Sequence, residues 1–209
     1  MNTELLACRK MTAGIIYPPY QLQPQQINRI YADITERYPF QTLQHLPDGA
    51  MMANPTGNFY IQTSRMQVNE TVDYFQAAKE KAIDLFQMAQ ERLNISQFIT
   101  FGIKLTAFLP VEGKNAAQII EDSALASIKG KMDILGPNRR GVGLRFVLHL
   151  DGVHEIKIEP FFNDLSQLYV ELDVQHPAPF FKISSIEPKM DAAYDYLFRE
   201  VQGFLETLD

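Results

Sequence analysis

An aspartate-glycine pair between two alternating segments is the feature that most limits the possible folds of this chain. Residues 143–150 read GLRFVLHL and residues 153–160 read VHEIKIEP, with Asp151 and Gly152 between them. Apolar and polar residues alternate in both segments, which is typical of half-buried β-strands. An Asp-Gly pair in this position favours a two-residue type I′ turn. The sequence therefore predicts an antiparallel hairpin, and consecutive antiparallel strands indicate an α+β fold, not a doubly wound parallel sheet.

Two long amphipathic segments are predicted to form the main helices. In residues 71–94 the apolar side chains recur every three or four positions, and residues 190–208 show the same periodicity. We expect Asn69 or Thr71 to cap the first of these helices. A shorter helix is predicted to begin at Pro24, because proline suits the first turn of a helix.

The order of the predicted elements repeats along the chain. A strand, a shorter helix, antiparallel strands and a long helix follow one another over residues 4–95, and the order returns over residues 97–209. In the first half, residues 41–53 and 58–69 are expected to pair as one hairpin across a turn at 54–57. The sequence thus predicts mainly antiparallel sheets with an internal duplication of a β-α-β-β-(β)-α unit. We expect a single domain, built from two fused pseudo-repeats related by a pseudo-twofold axis.

Charge and hydropathy exclude several classes of partner. The chain has 19 lysine and arginine residues against 25 aspartate and glutamate residues, which gives a formal charge of −6. Broad nucleic-acid binding needs a basic face that neutralises phosphates, so we do not expect it. The longest apolar runs are too short to cross a bilayer, and we therefore expect no membrane association.

Cysteine usage and the first residues bear on the compartment. Cys8 is the single cysteine, so the chain forms no internal disulfide. The first residues also lack the basic stretch and apolar run of a secretory signal. We expect a cytoplasmic protein, and the sequence contains no motif that calls for a cofactor.

The stretch GPNRRGVGLRF at 136–146 comes closest to a chemical motif. A helix predicted over 115–132 precedes this stretch and a strand follows it. A phosphate loop has the reverse order, because its strand leads into the N-terminus of a helix. Gly136 and Pro137 are instead expected to end the helix, with Gly136 in the left-handed conformation.

The arginines of this stretch are candidate ligands for a small anion. Residues 129–145 contain five lysine or arginine side chains against the single Asp133, so their local charge is +4. Arg139, Arg140 and Arg145 are therefore predicted to be able to clamp a carboxylate or a phosphate. A solvated surface loop is the alternative interpretation.

Two histidines beside the hairpin turn are a candidate metal or acid–base pair. A two-residue turn at 151–152 places His149 directly opposite His154, with their Cβ atoms ~5 Å apart. Two imidazoles at this spacing can bind zinc if a third ligand is near. Glu171 and Asp173 on the following strand are the candidates for that ligand. The alternative is a pair of half-exposed histidines at the polar end of a sheet.

Two phenylalanine pairs occur in or beside predicted loops. These are Phe161 with Phe162, and Phe180 with Phe181, the second pair beside prolines. Aromatic residues in loops can anchor a protein interface. They can equally fill the ends of a two-layer core.

Several segments resemble a family of sporadically distributed, uncharacterised bacterial proteins. The similarity is carried by ERYPF at 36–40, FYIQTSRMQVN at 59–69, FGIKLTAFLPVEG at 101–113, LYVELDV at 168–174 and AAYDYLFREVQGFLETL at 192–208. The chain departs from the family in its first strand, and KLTAF replaces an arginine-tyrosine-asparagine run in the middle strand. The resemblance implies a bacterial, cytoplasmic α+β protein and transfers no catalytic residue.

Two functions from different classes follow from these patterns. The lack of a complete catalytic set favours a non-enzymatic binding or assembly module, which forms a homo-oligomer or binds a protein partner through its sheet edges. The alternative is an enzyme or sensor that binds a small anion through the arginine-rich loop and the histidine pair. The sequence leaves open whether the protein is an enzyme.

Overall fold

One antiparallel sheet dominates the computed structural model, which describes residues 1–113, 115–136 and 138–208. Within these residues, nine strands and five α-helices give the mixed α+β fold that the sequence predicts. The strands are β1 (Ala7–Ile16), β2 (Thr42–Leu46), β3 (Gly49–Asn54), β4 (Gly57–Gln62), β5 (Arg65–Thr71), β6 (Thr100–Pro110), β7 (Leu144–His149), β8 (Val153–Pro160) and β9 (Gln167–His176). Their order in the sheet is β2-β3-β4-β5-β1-β6-β9-β8-β7, so β2 and β7 are the terminal strands.

The helical elements differ in length and type. Among the residues that the structure describes, three segments are 3₁₀-helical and one turn near the C-terminus is π-helical. The α-helices are α1 (Pro24–Arg37), α2 (Phe75–Leu93), α3 (Ala116–Asp122), α4 (Glu187–Tyr196) and α5 (Gln202–Glu206). The 3₁₀ segments are Thr3–Leu5, Ala126–Leu135 and Ile183–Ile186, and the π-helical turn is Leu197–Val201.

The chain divides into two compact units, each assembled from separate segments. Unit 1 consists of Met1–Arg9, Leu105–Asp173 and Ala193–Asp209, and unit 2 consists of Lys10–Lys104 and Val174–Ala192. Neither unit coincides with one of the two sequence halves.

The core of unit 2 lies against helix α2. The apolar stripe predicted for this helix is buried, and its members are Phe75, Ala78, Ala82, Leu85, Phe86, Ala89 and Leu93. The predicted caps are wrong, because Asn69 and Thr71 belong to β5 and the helix begins after Tyr74. The Asn69 side chain is occupied within the sheet, where its Oδ1 accepts a 2.7 Å hydrogen bond from Thr12 and its Nδ2 donates to Asn58 at 2.6 Å.

The meander of unit 2 has four strands where the sequence predicts two. The predicted turn at 54–57 is confirmed, since the Asn54 side chain accepts hydrogen bonds from the backbone N–H groups of Thr56 and Gly57. Two further turns, at 47–48 and 63–64, divide each predicted strand. The backbone N–H of Thr63 donates to the carbonyl of Asp48 at 2.8 Å, which ties these two turns together.

Two predicted helices of the second half are shorter than expected. Helix α3 ends at Asp122, where the hydroxyl of Ser123 donates to the carbonyl of Ile119. This local bond competes with helix continuation, and the chain proceeds as the 3₁₀ segment Ala126–Leu135. The C-terminal segment over 187–206 is not one long α-helix, because the π-helical turn separates α4 from α5.

We expect Gly57→Ala to destabilise unit 2 strongly. A Cβ atom at Gly57 would lie 2.2 Å from the backbone oxygen of Asn69 and 2.7 Å from Oε2 of Glu70, so β4 and β5 would have to separate. Overpacking of this kind costs about 1–3 kcal/mol of unfolding free energy, measurable by denaturant titration. The matched control is Gly203→Ala in α5, where a new Cβ meets no atom within 4 Å. Equal stability of the two variants would contradict this account of the β4–β5 contact.

Candidate functional site

The guanidinium of Arg139 is held by carboxylates of unit 1. Its Nε and Nη2 atoms lie 3.0 and 3.3 Å from the two carboxylate oxygens of Glu121 in α3, and its Nη1 lies 3.0 Å from Asp133. The hydrogen bonds that Arg139 donates to Glu121 and then to Asp133 raise the pKa of its guanidinium. Lys129 adds a 2.6 Å contact to Asp122. These ion pairs fasten the 3₁₀ segment and the glycine-rich stretch to α3.

The other two candidate arginines also have partners inside the chain. Arg140 donates through Nη2 to the carbonyl of Phe162 at 2.9 Å, and its guanidinium lies 5.8 Å from the centre of that ring. Arg145 lies 2.8 Å from Oε2 of Glu155 on the neighbouring strand β8. Each of the three guanidinium groups is therefore engaged by a different group of unit 1.

The glycines around these arginines have structural roles. Gly136 has a φ of 145° with an extended ψ of 144°, so it adopts a conformation that favours glycine but not the expected left-handed helical one. Gly141 has a φ of 151°, and a Cβ atom there would lie 2.9 Å from Cβ of Ala117. The expected contribution of Pro137 lies outside the described residues.

The predicted pairing of His149 with His154 is wrong by one residue. In the β7–β8 ladder, His149 is opposite Val153 and Leu148 is opposite His154. The connection therefore contains three residues, 150–152, and Leu150 N–H donates to the carbonyl of Gly152 at 2.8 Å. Because side chains alternate across a strand, a shift of one residue places the two histidines on opposite faces of the sheet.

The two histidines also differ in their surroundings. His149 is exposed, whereas His154 is only 4% exposed and its ring centre lies 5.0 Å from that of Tyr196. Its Nε2 lies 3.8 Å from Oδ1 of Asp151, and its Nδ1 finds no hydrogen-bond partner within the described chain. In the described ranges 1–113, 115–136 and 138–208, no three His, Cys, Asp or Glu side chains are grouped so as to hold a metal ion.

A row of charged side chains occupies the face of the hairpin that carries Arg145. Lys157 lies 3.2 Å from Glu155 and 2.8 Å from Glu171, and the hydroxyl of Tyr169 donates to Glu171 at 2.6 Å. The pKa of Glu155 is lowered, first by its hydrogen bond with Arg145 and then by Lys157. Burial and the bond to Glu171 raise the pKa of Tyr169 to about 12. Glu171, a candidate third metal ligand, is thus a buried partner of Lys157 and Tyr169, and the other candidate, Asp173, also lies in β9.

The four loop phenylalanines divide into two packed and two exposed rings. Phe161 packs edge-on against Phe108 at 5.0 Å, and Phe180 stacks on Phe98 at 4.8 Å. Phe162 and Phe181 are exposed. One ring of each pair therefore fills the structure of its own unit, and one remains at the surface.

An apolar groove lies on the other face of the hairpin, beside the π-helical turn. It encloses about 170 Å³ and is here called the C-terminal groove. The side chains that line it are Phe146, Leu148, Ile156, Ile158, Tyr196, Glu200, Val201 and Phe204. The ring of Phe146 contacts that of Phe204 edge-on at 5.2 Å. The sequence prediction missed this groove, although the alternation of 144–150 in the observed register would have placed Phe146 and Leu148 on one face.

Strand β7 exposes an apolar surface at the end of the sheet. Val147 is 52% exposed and Leu150, just after the strand, is 57% exposed, while Leu148 is exposed to a lesser degree. Large apolar side chains are unusual on a terminal strand, because such an edge can pair with another chain. This strand and the C-terminal groove together form the candidate interaction surface of unit 1.

No protein-family model matches the chain, and no curated protein matches it. The resemblance to the sporadically distributed bacterial family stays a prediction. Within the described part of the chain, no helix has both the length and the apolar composition that crossing a bilayer requires.

We expect Arg139→Ala to loosen the segment that this side chain fastens. Loss of the contacts to Glu121 and Asp133 should increase amide hydrogen exchange over residues 126–141, with little change in β8. The control is Arg199→Ala, which removes an exposed arginine that has no ion pair in the described residues. Unchanged exchange over 126–141 in Arg139→Ala would show that the ion pairs do not hold the segment.

Proposed function

We propose that the protein is a non-enzymatic assembly module that self-associates through the free edge of strand β7. The observation that carries this proposal is the position of β7 at the end of the sheet, where β8 is its single neighbour among the described strands. Its second edge presents backbone N–H and C=O groups that another strand can pair with. Exposed Val147 and Leu148 flank those groups with apolar surface.

The two terminal strands of the sheet, β2 and β7, differ in the polarity of their exposed side chains. Strand β2 reads TLQHL, and its exposed residues are Thr42, Gln44 and His45. Polar side chains of this kind protect a sheet edge from pairing. Strand β7 reads LRFVLH, and its one charged side chain, Arg145, is already neutralised by Glu155. The edge of β7 is therefore the one suited to a partner strand.

A second copy of the chain is the partner that the sequence of β7 fits. If two β7 strands pair antiparallel about a twofold axis at Val147, this residue lies opposite the partner's Val147. Phe146 then lies opposite the partner's Leu148 on the face of the C-terminal groove. On the other face Arg145 lies opposite the partner's His149, and Arg145 keeps its contact with Glu155. Such a contact is isologous and closes as a dimer.

The internal duplication is part of the same proposal. In the first half the strands lie in the order β1-β5-β4-β3-β2, so β5, the last strand of the meander, is the neighbour of β1. In the second half the order is β6-β9-β8-β7, so β9, the last strand of its meander, is likewise the neighbour of β6. This shared order supports descent from one β-α-β-β-(β)-α unit. Strands β2 and β7 would then be equivalent positions, and the change from a polar to an apolar edge would distinguish the second half.

The alternative, a small-anion site, gains no support from the arrangement of its residues. Arg139, Arg140 and Arg145 are engaged by Glu121, Phe162 and Glu155, respectively. Arg139, whose side chain is 17% exposed and contacts two carboxylates, would have to give up those partners to bind an anion.

We expect the unchanged protein to elute as a dimer at micromolar concentration and Val147→Lys to elute as a monomer. The new ammonium group would lie opposite its symmetry mate at the proposed axis, where like charges oppose pairing. Size-exclusion chromatography with light scattering measures the mass. The control is Gln44→Lys on β2, which adds the same charge to the other terminal strand and should leave the dimer intact. A monomeric unchanged protein would overturn the proposal.

The position of the twofold axis can be tested by oxidative cross-linking. In a Cys8→Ser background, Val147→Cys should form a disulfide between two copies, because the two substituted residues would face each other directly. Gln44→Cys serves as the control and should stay reduced. Efficient cross-linking at Gln44→Cys but not at Val147→Cys would place the contact at β2 instead.

A further inference from the structure

Two adjacent apolar side chains project from the 3₁₀ segment of unit 1. Ile134 is 88% exposed and Leu135 is 87% exposed, more than any other large apolar residue in the described chain. We call this pair the apolar tip. Isolated exposed apolar residues are common, whereas contiguous exposed apolar surface is a feature of interaction sites.

The apolar tip is carried by a braced segment. Met132, two residues before the tip, is buried, and Asp133 between them is paired with Arg139. Arg139 in turn contacts Glu121 of α3. Ile134 and Leu135 therefore extend from a segment that is anchored by the buried Met132 and by the ion pair of the exposed Asp133 with Arg139.

The C-terminal groove matches the apolar tip in size and chemistry. The groove encloses about 170 Å³, and a cavity of about 150 Å³ with a similar lining holds a benzene molecule. One branched aliphatic side chain is of comparable size. Six of its eight lining side chains are aliphatic or phenylalanine, so the groove favours an apolar occupant.

Charge complementarity identifies the occupant as a second copy of this chain. Glu200 is the one charged side chain that lines the groove, and it has no ion pair within the described residues. Lys131, three residues before the tip, is exposed and is likewise without an ion pair in the described chain. A lipid surface fits less well, because Asp133 adjoins the tip and the chain carries a formal charge of −6.

We propose that the apolar tip of one copy inserts into the C-terminal groove of another, with Lys131 facing the partner's Glu200. Because tip and groove are different surfaces, this contact is heterologous and joins copies head to tail. This contact rests on the proposed function, which holds that copies of the chain associate, and it adds a second contact between those copies. The β7 contact would form dimers, and the tip-to-groove contact would link them into longer assemblies.

The test uses the Val147→Lys background, so that the proposed β7 dimer does not contribute. Val147 lies on the opposite strand face from Phe146 and Leu148 and is not among the groove-lining residues. Sedimentation velocity at millimolar concentration should show species that grow with concentration. Monomers at every concentration in this background would overturn the tip-to-groove contact, while the dimer of the unchanged protein would still stand.

Complementary variants then distinguish a head-to-tail contact from any symmetric one. A tip variant, Ile134→Asp with Leu135→Asp, and a groove variant, Leu148→Asp, should each be monomeric alone. Their mixture should form a one-to-one dimer that does not grow, since it retains one intact tip and one intact groove. Circular dichroism checks that both variants are folded. A mixture that stays monomeric would overturn the proposal.

A charge exchange keeps the proposal testable if Leu148→Asp does not fold. Lys131→Glu should weaken association at least roughly tenfold, because it places two carboxylates together. Adding Glu200→Lys in the same chain should restore it. Both positions are exposed, so neither substitution disturbs the core. Association that is unaffected by Lys131→Glu, or not restored by Glu200→Lys, would contradict the proposed contact.

Discussion

The register of the β7–β8 hairpin determines which side chains lie on each of its two faces. With three residues in the connection, Leu148 lies opposite His154 and Phe146 opposite Ile156, and these side chains share the apolar face. A shift of one residue would exchange the faces of one strand and place polar groups in the groove. The groove, the charged row and the exposed edge of β7 all depend on this one alignment.

The ion pairs of the glycine-rich stretch have a comparable role for the neighbouring segment. Arg139 is fixed by Glu121 and Asp133 in the geometry in which a planar guanidinium binds two carboxylates well. Of the five positive charges in 129–145, Lys129 and Arg139 are thus paired with carboxylates of α3, and Arg145 is paired with Glu155 of β8. The segment that these ion pairs attach to α3 also contains Ile134 and Leu135, and both of these side chains are exposed to solvent.

Much of the fold could be predicted from the sequence wherever one local signal dominates. Helix α2 shows its apolar stripe over five turns, and Pro24 marks the first residue of α1. The hairpin of β7 and β8 also forms, but its register was not predictable, since Asp-Gly is compatible with both a two-residue and a three-residue connection. The extra turns of the meander depend on a contact between Asp48 and Thr63, fifteen residues apart, that no local pattern reveals.

The candidate site was predicted less well than the fold, for a physical reason. Arginine, histidine and glycine attract notice as chemical groups, yet Arg139, Arg140 and Arg145 use their donors on partners that come together only after folding. The residues that form the groove are ordinary core types in sequence. Their significance arises from the π-helical turn, which changes the angular spacing of side chains between Tyr196 and Phe204.

The charged row explains why a partner strand can cover β7 without a large electrostatic cost. Burying an unpaired charge is strongly unfavourable, whereas a charge that keeps its counterion is much less so. Arg145 is paired with Glu155, and Glu155 is paired with Lys157, whose ammonium also contacts Glu171. The row thus neutralises the one charge on β7 from within the same sheet. An added strand would leave those pairs in place while it covered Val147 and satisfied the free backbone edge.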